Sequence, residues 1–158
     1  MVLSFTKASK MERIEPATGN DIPQLADLLT ILFTQEVDFS PAREKQMRGL
    51  RLIIDDPSRG RIFVARVNGE IVGMVSLLFT VSTAEGAPAC WLEDMVVRPD
   101  QRGNGLGARL LETGVSYAKA NGFTRITLLT DRTNEGAIRF YQRHGFRLSE
   151  MIPLRLYL

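Results

Sequence analysis

The sequence predicts an α+β fold: a mixed, mostly antiparallel sheet with one parallel strand pair near its middle and helices on both faces. Three observations carry that expectation. Two alternating apolar runs, 61–67 and 70–80, flank Asn68-Gly69, the dipeptide best suited to a two-residue hairpin turn. A strand over 91–97 leads through a glycine-rich turn into a helix over 104–120, and a buried strand over 123–130 follows. Two strands joined by a helix run parallel, because a tight turn connects only antiparallel neighbours. The segments before the hairpin are helical by spacing rather than alternating.

A short strand over 13–16 opens the domain. Residues 18–21 supply helix-start chemistry, and Ile22, Leu25, Leu28, Leu29 and Leu32 recur at helical spacing, so a helix over 21–36 follows. Ser40-Pro41 is a second start signal, with serine as N-cap and proline at the first helical position, for a helix ending near Asp55. Residues 82–88 form a loop of small residues. Beyond the crossover, Asn121-Gly122 stops the helix, and 134–144 reads as another helix closed by Gly145 in the left-handed conformation. Phe146 onward, with 152–158, is expected to add one or two final strands. No repeat, low-complexity tract or linker divides residues 13–158, which read as one domain. Residues 1–12 are expected to be a poorly ordered N-terminal extension.

The chain has 158 residues, 44% apolar and 24% charged, enough to bury a core in a single globular domain. A net charge of +2 is too small to argue for a nucleic-acid partner. Cys90 is the only cysteine, so an internal disulfide or a cysteine metal cluster is excluded, and a reducing cytoplasm is expected. No run approaches the roughly 18 apolar residues of a membrane span. The N-terminal stretch lacks the apolar core of a signal peptide.

The turn Arg102-Gly-Asn-Gly-Leu-Gly-Ala108 opens a helix directly after a strand. The first amides of a helix have no partner inside it and carry the positive end of its dipole, and glycine lets an anion come close. The turn is therefore expected to hold a phosphorylated ligand. It is no Walker loop, since no Gly-Lys-Ser/Thr follows. Gly103, Gly105 and Ala108 fit a dinucleotide fingerprint, with Asp131 downstream, but five residues separate strand from glycines and too little chain remains for a doubly wound sheet. On the glycines alone, a plain turn before an ordinary helix stays open.

Arg102-x-x-Gly105-x-Gly107 also matches the R-x-x-G-x-G/A acyl-CoA motif of the GNAT superfamily of N-acetyltransferases, which the chain resembles. Val97-x-Pro99 looks like that family's lead-in. Asn134-x-x-Ala137-x-x-Phe140-Tyr141-x-x-x-Gly145-Phe146 looks like its second motif, and the close match spans 62–146. The resemblance implies transfer of an acetyl group from acetyl-CoA to a primary amine of a small molecule, by direct attack in a ternary complex and without a metal. It implies that the strands over 91–97 and 123–130 splay apart. Backbone groups of Met95, Val96 and Val97 would then hold the pantetheine and the acetyl carbonyl. The amides of Arg102, Gly103, Asn104, Gly105, Leu106, Gly107 and Ala108 would hold the pyrophosphate. Asn134 would contact the pantetheine, and Tyr141, beside the cofactor, would be the general acid for the departing thiolate. By spacing alone Asn134 is equally a helix N-cap, and Tyr141 belongs to an apolar stripe with Ala137, Phe140 and His144.

Glu93 and Asp94 are adjacent carboxylates in an otherwise apolar strand. Alternation puts one on each face, and an ionised carboxylate inside a core needs a partner or water. Leu92-Glu93-Asp94 resembles the polyamine and thialysine acetyltransferases, which implies Glu93 as the base, directly or through water, and Asp94 as a group that binds a substrate ammonium or supports the site. A structural ion pair to an arginine is the alternative. Cys90 reads as a small buried residue, His144 as a helix-end residue, and Trp91 as either core or pocket wall. The resemblance assigns acceptor choice to 24–55 and 82–88. A protein lysine or N-terminus is the second acceptor class, and a silent acyl-CoA-binding regulatory module the reading outside enzymes. Many members of the family dimerise, so a homodimer is an expectation by resemblance.

Overall fold

The computed structural model describes residues 11–158. Residues 1–10 of the expected extension lie outside the described residues, and strand β1 (Glu12–Pro16) starts within its last part. Helices α1 (Ile22–Gln35) and α2 (Arg43–Ile54) follow, then strands β2 (Gly60–Val67), β3 (Glu70–Ser82) and β4 (Ala87–Val97). Helix α3 (Leu106–Ala120), strand β5 (Ile126–Leu128) and helix α4 (Glu135–Arg143) complete the order. The strands form one five-stranded sheet in the order β1-β2-β3-β4-β5. Every pairing is antiparallel except β4 with β5. Among the described residues no helix is long and apolar enough to cross a membrane.

The α+β class and the single parallel pair are those expected. The hairpin turn is built as its residues dictate: Asn68 and Gly69 take φ of 51° and 89°, the two positive values that a tight hairpin needs. Alternation along β2 builds the two cores. Ile62 and Val64 pack with Leu25, Leu29 and Leu50 beneath α1 and α2, while Phe63 and Ala65 pack with Leu106, Leu110 and Leu111 beneath α3. Helices therefore cover both faces. At Gly73 a Cβ would lie 2.8 Å from the Leu110 side chain, so the bare backbone there lets α3 settle onto the sheet.

Three expectations are corrected. Helix α2 starts at Arg43, with Ala42 rather than Ser40 as its N-cap; Gln46 Oε1 accepts the Ala42 amide at 2.9 Å, a reach-back from the first turn that replaces the serine. The strand expected over 123–130 is only Ile126–Leu128 and half-buried. Residues 146–158 join no ladder, so the parallel pair lies at the sheet edge, and Leu148, Met151, Ile152, Leu154 and Leu156 are exposed. An alternating pattern states which side chains suit a sheet, not that a partner strand is present.

A buried ion pair between Arg66 and Asp21 ties β2 to the start of α1, and Arg66 also pairs with Glu15 of β1. Asp21, 4% exposed, accepts from Arg66 Nη2 at 2.6 Å and from the Thr18 amide at 2.8 Å. Burial alone would raise the Asp21 carboxyl, but the hydrogen bonds from Arg66 and Thr18 outweigh it and hold the group below its ordinary 3.8. Such a carboxyl stabilises the fold above its unfolded pKa, and the contribution is lost as pH falls through the folded value. Arg66→Ala, which strands the Asp21 charge, is expected to cost about 3 kcal/mol at pH 7 by urea unfolding, with the deficit shrinking as acid protonates Asp21.

Candidate active site

The site forms where β4 outruns its parallel neighbour. On one side β4 pairs with β3 all the way to Val97, opposite Gly73. On the other, its register with β5 ends at Leu92 opposite Leu128. Beyond that point the β5-facing edge of β4, from Glu93 to Val97, borders a gap instead of a strand. Met95 and Val97 form one rim of this gap, and Tyr141 and Asn134 of α4 form the facing rim together with Thr130 and Asp131.

A second irregularity sets the side chains. Ser76 pairs with Asp94 but Leu77 pairs with Leu92, so Glu93 is the extra residue of a β-bulge. The bulge reverses the alternation. Before it, Cys90 and Leu92 point into the core beneath α3; after it, Met95 and Val97 do. Glu93 and Asp94 are thereby delivered to the same cavity, where strict alternation would have put them on opposite faces.

That cavity, of about 560 Å³, runs between β3, β4 and the two N-terminal helices. Leu29 and Phe33 of α1, Leu50 and Ile53 of α2, and Leu78 and Phe79 of β3 form apolar walls, with Lys45 and Arg59 also lining it. A smaller cavity of about 90 Å³ lies on the β5 side and is lined by Glu36, Glu93, Met95, Asp131, Asn134 and Tyr141 among others. Glu93 is exposed and belongs to both cavities, so it stands at their junction. Residues 82–88 reach neither, since β3 and β4 extend into that stretch and leave only a turn.

Asp94 is braced by Ser76, which is fully buried: the Ser76 hydroxyl donates to Asp94 Oδ2 at 3.0 Å, and the same oxygen accepts the Asp94 amide at 3.0 Å. Loss of solvation pushes the Asp94 carboxyl up to about 7; the Ser76 bond opposes the rise, and the charges of Glu93 and Glu36 add to it. No arginine partners either carboxylate of the pair among the described residues, so the alternative of a structural ion pair is not realised. Tyr141 is half-buried, packed edge-on to Phe140 and Phe146, and its phenol is pushed up to about 12, first by burial and then by the charge of Glu36. It remains a proton donor across the physiological range.

Helix α3 begins at Gly105, a left-handed N-cap with φ of 81°, and no side chain caps its first turn. Gly103, with φ of 84°, faces open space. The amides of Gly103, Asn104 and Gly105 donate to no backbone carbonyl among the described residues. This is a cradle of unused donors at a positive helix end, open to the anion of a ligand. Arg102 differs from its expectation: its amide donates to Pro99 at 3.3 Å and its Nε to the Val97 carbonyl at 2.7 Å, so it braces the turn. The Val97 carbonyl is engaged by that bond. Asn134 is an N-cap, its Oδ1 accepting the Ala137 amide at 3.1 Å, while its amide nitrogen stays available beside the smaller cavity.

Of the remaining residues, Cys90 is 1% exposed, and burial pushes its thiol up, which fits a packing role. His144 closes α4, with Nδ1 against the Phe140 carbonyl at 2.8 Å. Trp91, 40% exposed, lines neither cavity. Glu36 and Asp131 are site residues that the sequence reading did not assign to the chemistry. Their only signal was position, one just past a helix end and one just past a strand end.

Residues 22–146 match the acetyltransferase (GNAT) family. The chain is 36% identical over 91 residues to an uncharacterized N-acetyltransferase of Methanocaldococcus jannaschii, an alignment that covers 57% of this chain but spans only 40% of that protein's length. It is 29% identical over 133 residues to the aminoalkylphosphonate N-acetyltransferase of Salmonella typhimurium, covering 84% of this chain and 83% of the relative. In fold it is similar to a solved aminoglycoside N-acetyltransferase in complex with CoA, with a TM-score of 0.80 at 16% identity over 96% of this chain and 97% of the other. The extent of the family match, from the start of α1 to the residue after Gly145, covers both cavities and the glycine turn: the chain belongs to the acetyltransferase (GNAT) family.

Proposed function

We propose that this chain transfers an acetyl group from acetyl-CoA to a primary amine of a small molecule, by direct attack in a ternary complex. The observation that carries the reading is the early end of the β4–β5 ladder beside an uncapped helix N-terminus. A diphosphate on the amides at the start of α3 would direct a thioester arm into the gap between Met95 and Tyr141. The larger cavity, which meets the smaller one at Glu93, supplies the acceptor's way in. Its size suits a small ligand, and its walls of α1 and α2 side chains offer an apolar cleft rather than an extended peptide trough. A relative named for aminoalkylphosphonate supports a small-molecule acceptor over a protein lysine or N-terminus. The same reading includes action in a reducing cytoplasm, which the free, buried Cys90 suits.

Chemically, the attacking nitrogen must be neutral, whereas a free alkylamine near pKa 10 arrives charged. In this reading Glu93, at the junction of the cavities, takes that proton directly or through water. Asp94 binds the ammonium or supports Glu93. The nitrogen lone pair forms the new C–N bond, the C–S bond breaks as Tyr141 donates its proton to the departing sulfur, and the nitrogen sheds its second proton through water to the Tyr141 phenolate, leaving a neutral amide and a free thiol. A phenol at about 12 protonating a thiolate whose acid lies near 8.5 is uphill by about 5 kcal/mol. Donation must therefore accompany bond cleavage, as the sulfur gains charge beside Tyr141. Backbone groups of Met95 to Val97 would hold the pantetheine, with Asn134 contributing its amide nitrogen.

A second assignment of the base is favoured by one observation: Asp94 sits at about 7, where a carboxylate takes up protons near neutrality.

A panel of amines assayed with acetyl-CoA by thiol release tests the function. Turnover on a small primary amine is expected, whereas coenzyme binding with no turnover on any amine would leave the silent binding module. Tyr141→Phe is expected to lower kcat about 100-fold while the acetyl-CoA dissociation constant stays within about threefold; wild-type turnover would remove Tyr141 from the mechanism. The pH profile of kcat/KM in Glu93→Gln separates the two bases by direction. With Glu93 as base the rising limb moves to higher pH, since only amine already neutral reacts. With Asp94 as base it moves to lower pH, since burial still raises Asp94 but the added charge of Glu93 is gone.

A further inference from the structure

The smaller cavity carries more negative charge than one amine needs. Glu36, Glu93 and Asp131 all line it, and no lysine, arginine or histidine does. Glu36 is the first residue past α1, where the chain turns to an extended conformation (φ −88°, ψ 147°). Its Oε2 is buried and meets no hydrogen-bond partner among the described residues. Arg155, whose charge acts on Glu36 from a distance, is itself paired with Asp38 and lies over the Phe39 ring at 5.4 Å. Asp131 is drawn to the same corner by a backbone amide, that of Val37, at 3.3 Å.

A carboxylate oxygen buried without a partner is costly in a protein at rest. Here it opens into a site that the helix α3 cradle and Tyr141 define independently. One ammonium at Glu93 would leave Glu36 and Asp131 without a cation among the residues that line the cavity. We propose that Glu36, with Asp131 beside it, determines acceptor specificity by holding a second positively charged nitrogen of the substrate. The acceptor is then a diamine or polyamine, with one nitrogen acetylated between Glu93 and Tyr141 and the other bound at the end of α1.

The inference rests on the acetyl-transfer reading. Its test is the selectivity between two acceptors of equal chain length, 1,5-diaminopentane and n-pentylamine, assayed by thiol release with the full chain. Wild type is expected to favour the diamine by about tenfold or more in kcat/KM. Glu36→Gln, nearly isosteric, is expected to abolish most of that preference through a higher KM for the diamine, and Glu36→Asp to retain part of it. Equal use of both amines by wild type overturns the proposal while leaving acetyl transfer intact. So does a Glu36→Gln protein that loses both activities by the same factor, as a purely structural role would require. Thiol release with neither of these two but with another amine of the panel overturns this proposal alone, and release with no amine at all overturns the acetyl-transfer reading with it.

Discussion

The structure depends on a strand that keeps one neighbour and loses the other. From Cys90 to Leu92, β4 is an interior strand; from Glu93 to Val97 it is held by β3 alone. A backbone edge so placed is normally a liability, because its unpaired N–H and C=O groups seek another chain. Here the edge is roofed by α4 and fronted by the start of α3. Its unpaired backbone groups suit an extended ligand arm. The bulge at Glu93 coincides with the point where pairing to β5 ends, so strand divergence and carboxylate delivery are one structural event.

The electrostatics follow from that placement. Glu93 and Asp94 turn toward the α1–α2 side, Asp94 against a fully buried Ser76, and burial first, then the charges of Glu93 and Glu36, raise Asp94. On the opposite rim, Tyr141 loses solvent and remains protonated. The two rims therefore differ in proton affinity. Asp94 at about 7 and the Tyr141 phenol at about 12 lie well apart, a separation suited to taking a proton from one atom and giving one to another. At the far end of the gap the field reverses, with positive helix amides from Gly103 to Ala108. A ligand with an anionic end and an amine partner matches that gradient.

Local signals in the sequence were sufficient for most of the frame. Asn68-Gly69 sets its hairpin through backbone dihedrals alone, Gly145 closes α4 at φ of 90°, and the apolar spacing of Leu25, Leu28 and Leu29 matches the buried face of α1. The glycine turn was legible for the same reason, since an uncapped helix start is a local property. What escaped was non-local. A bulge is a mismatch between two strands, and with Trp91 and Val96 both apolar nothing in β4 itself marks a reversal of alternation at Glu93. The stretch 146–158 has a strand's composition but no ladder to join. Glu36 and Asp131 lie 95 positions apart and meet only because the end of α1 and the end of β5 converge on one corner.

The central claim is that free amides at the head of α3 grip a diphosphate and so aim a thioester at the β4–β5 gap. Amide ¹H–¹⁵N spectra recorded during titration with coenzyme A test it most directly. The account predicts the largest shifts at Gly103, Gly105, Gly107 and Ala108, with a second set at Met95 to Val97. Saturating coenzyme A with those resonances unmoved would contradict it.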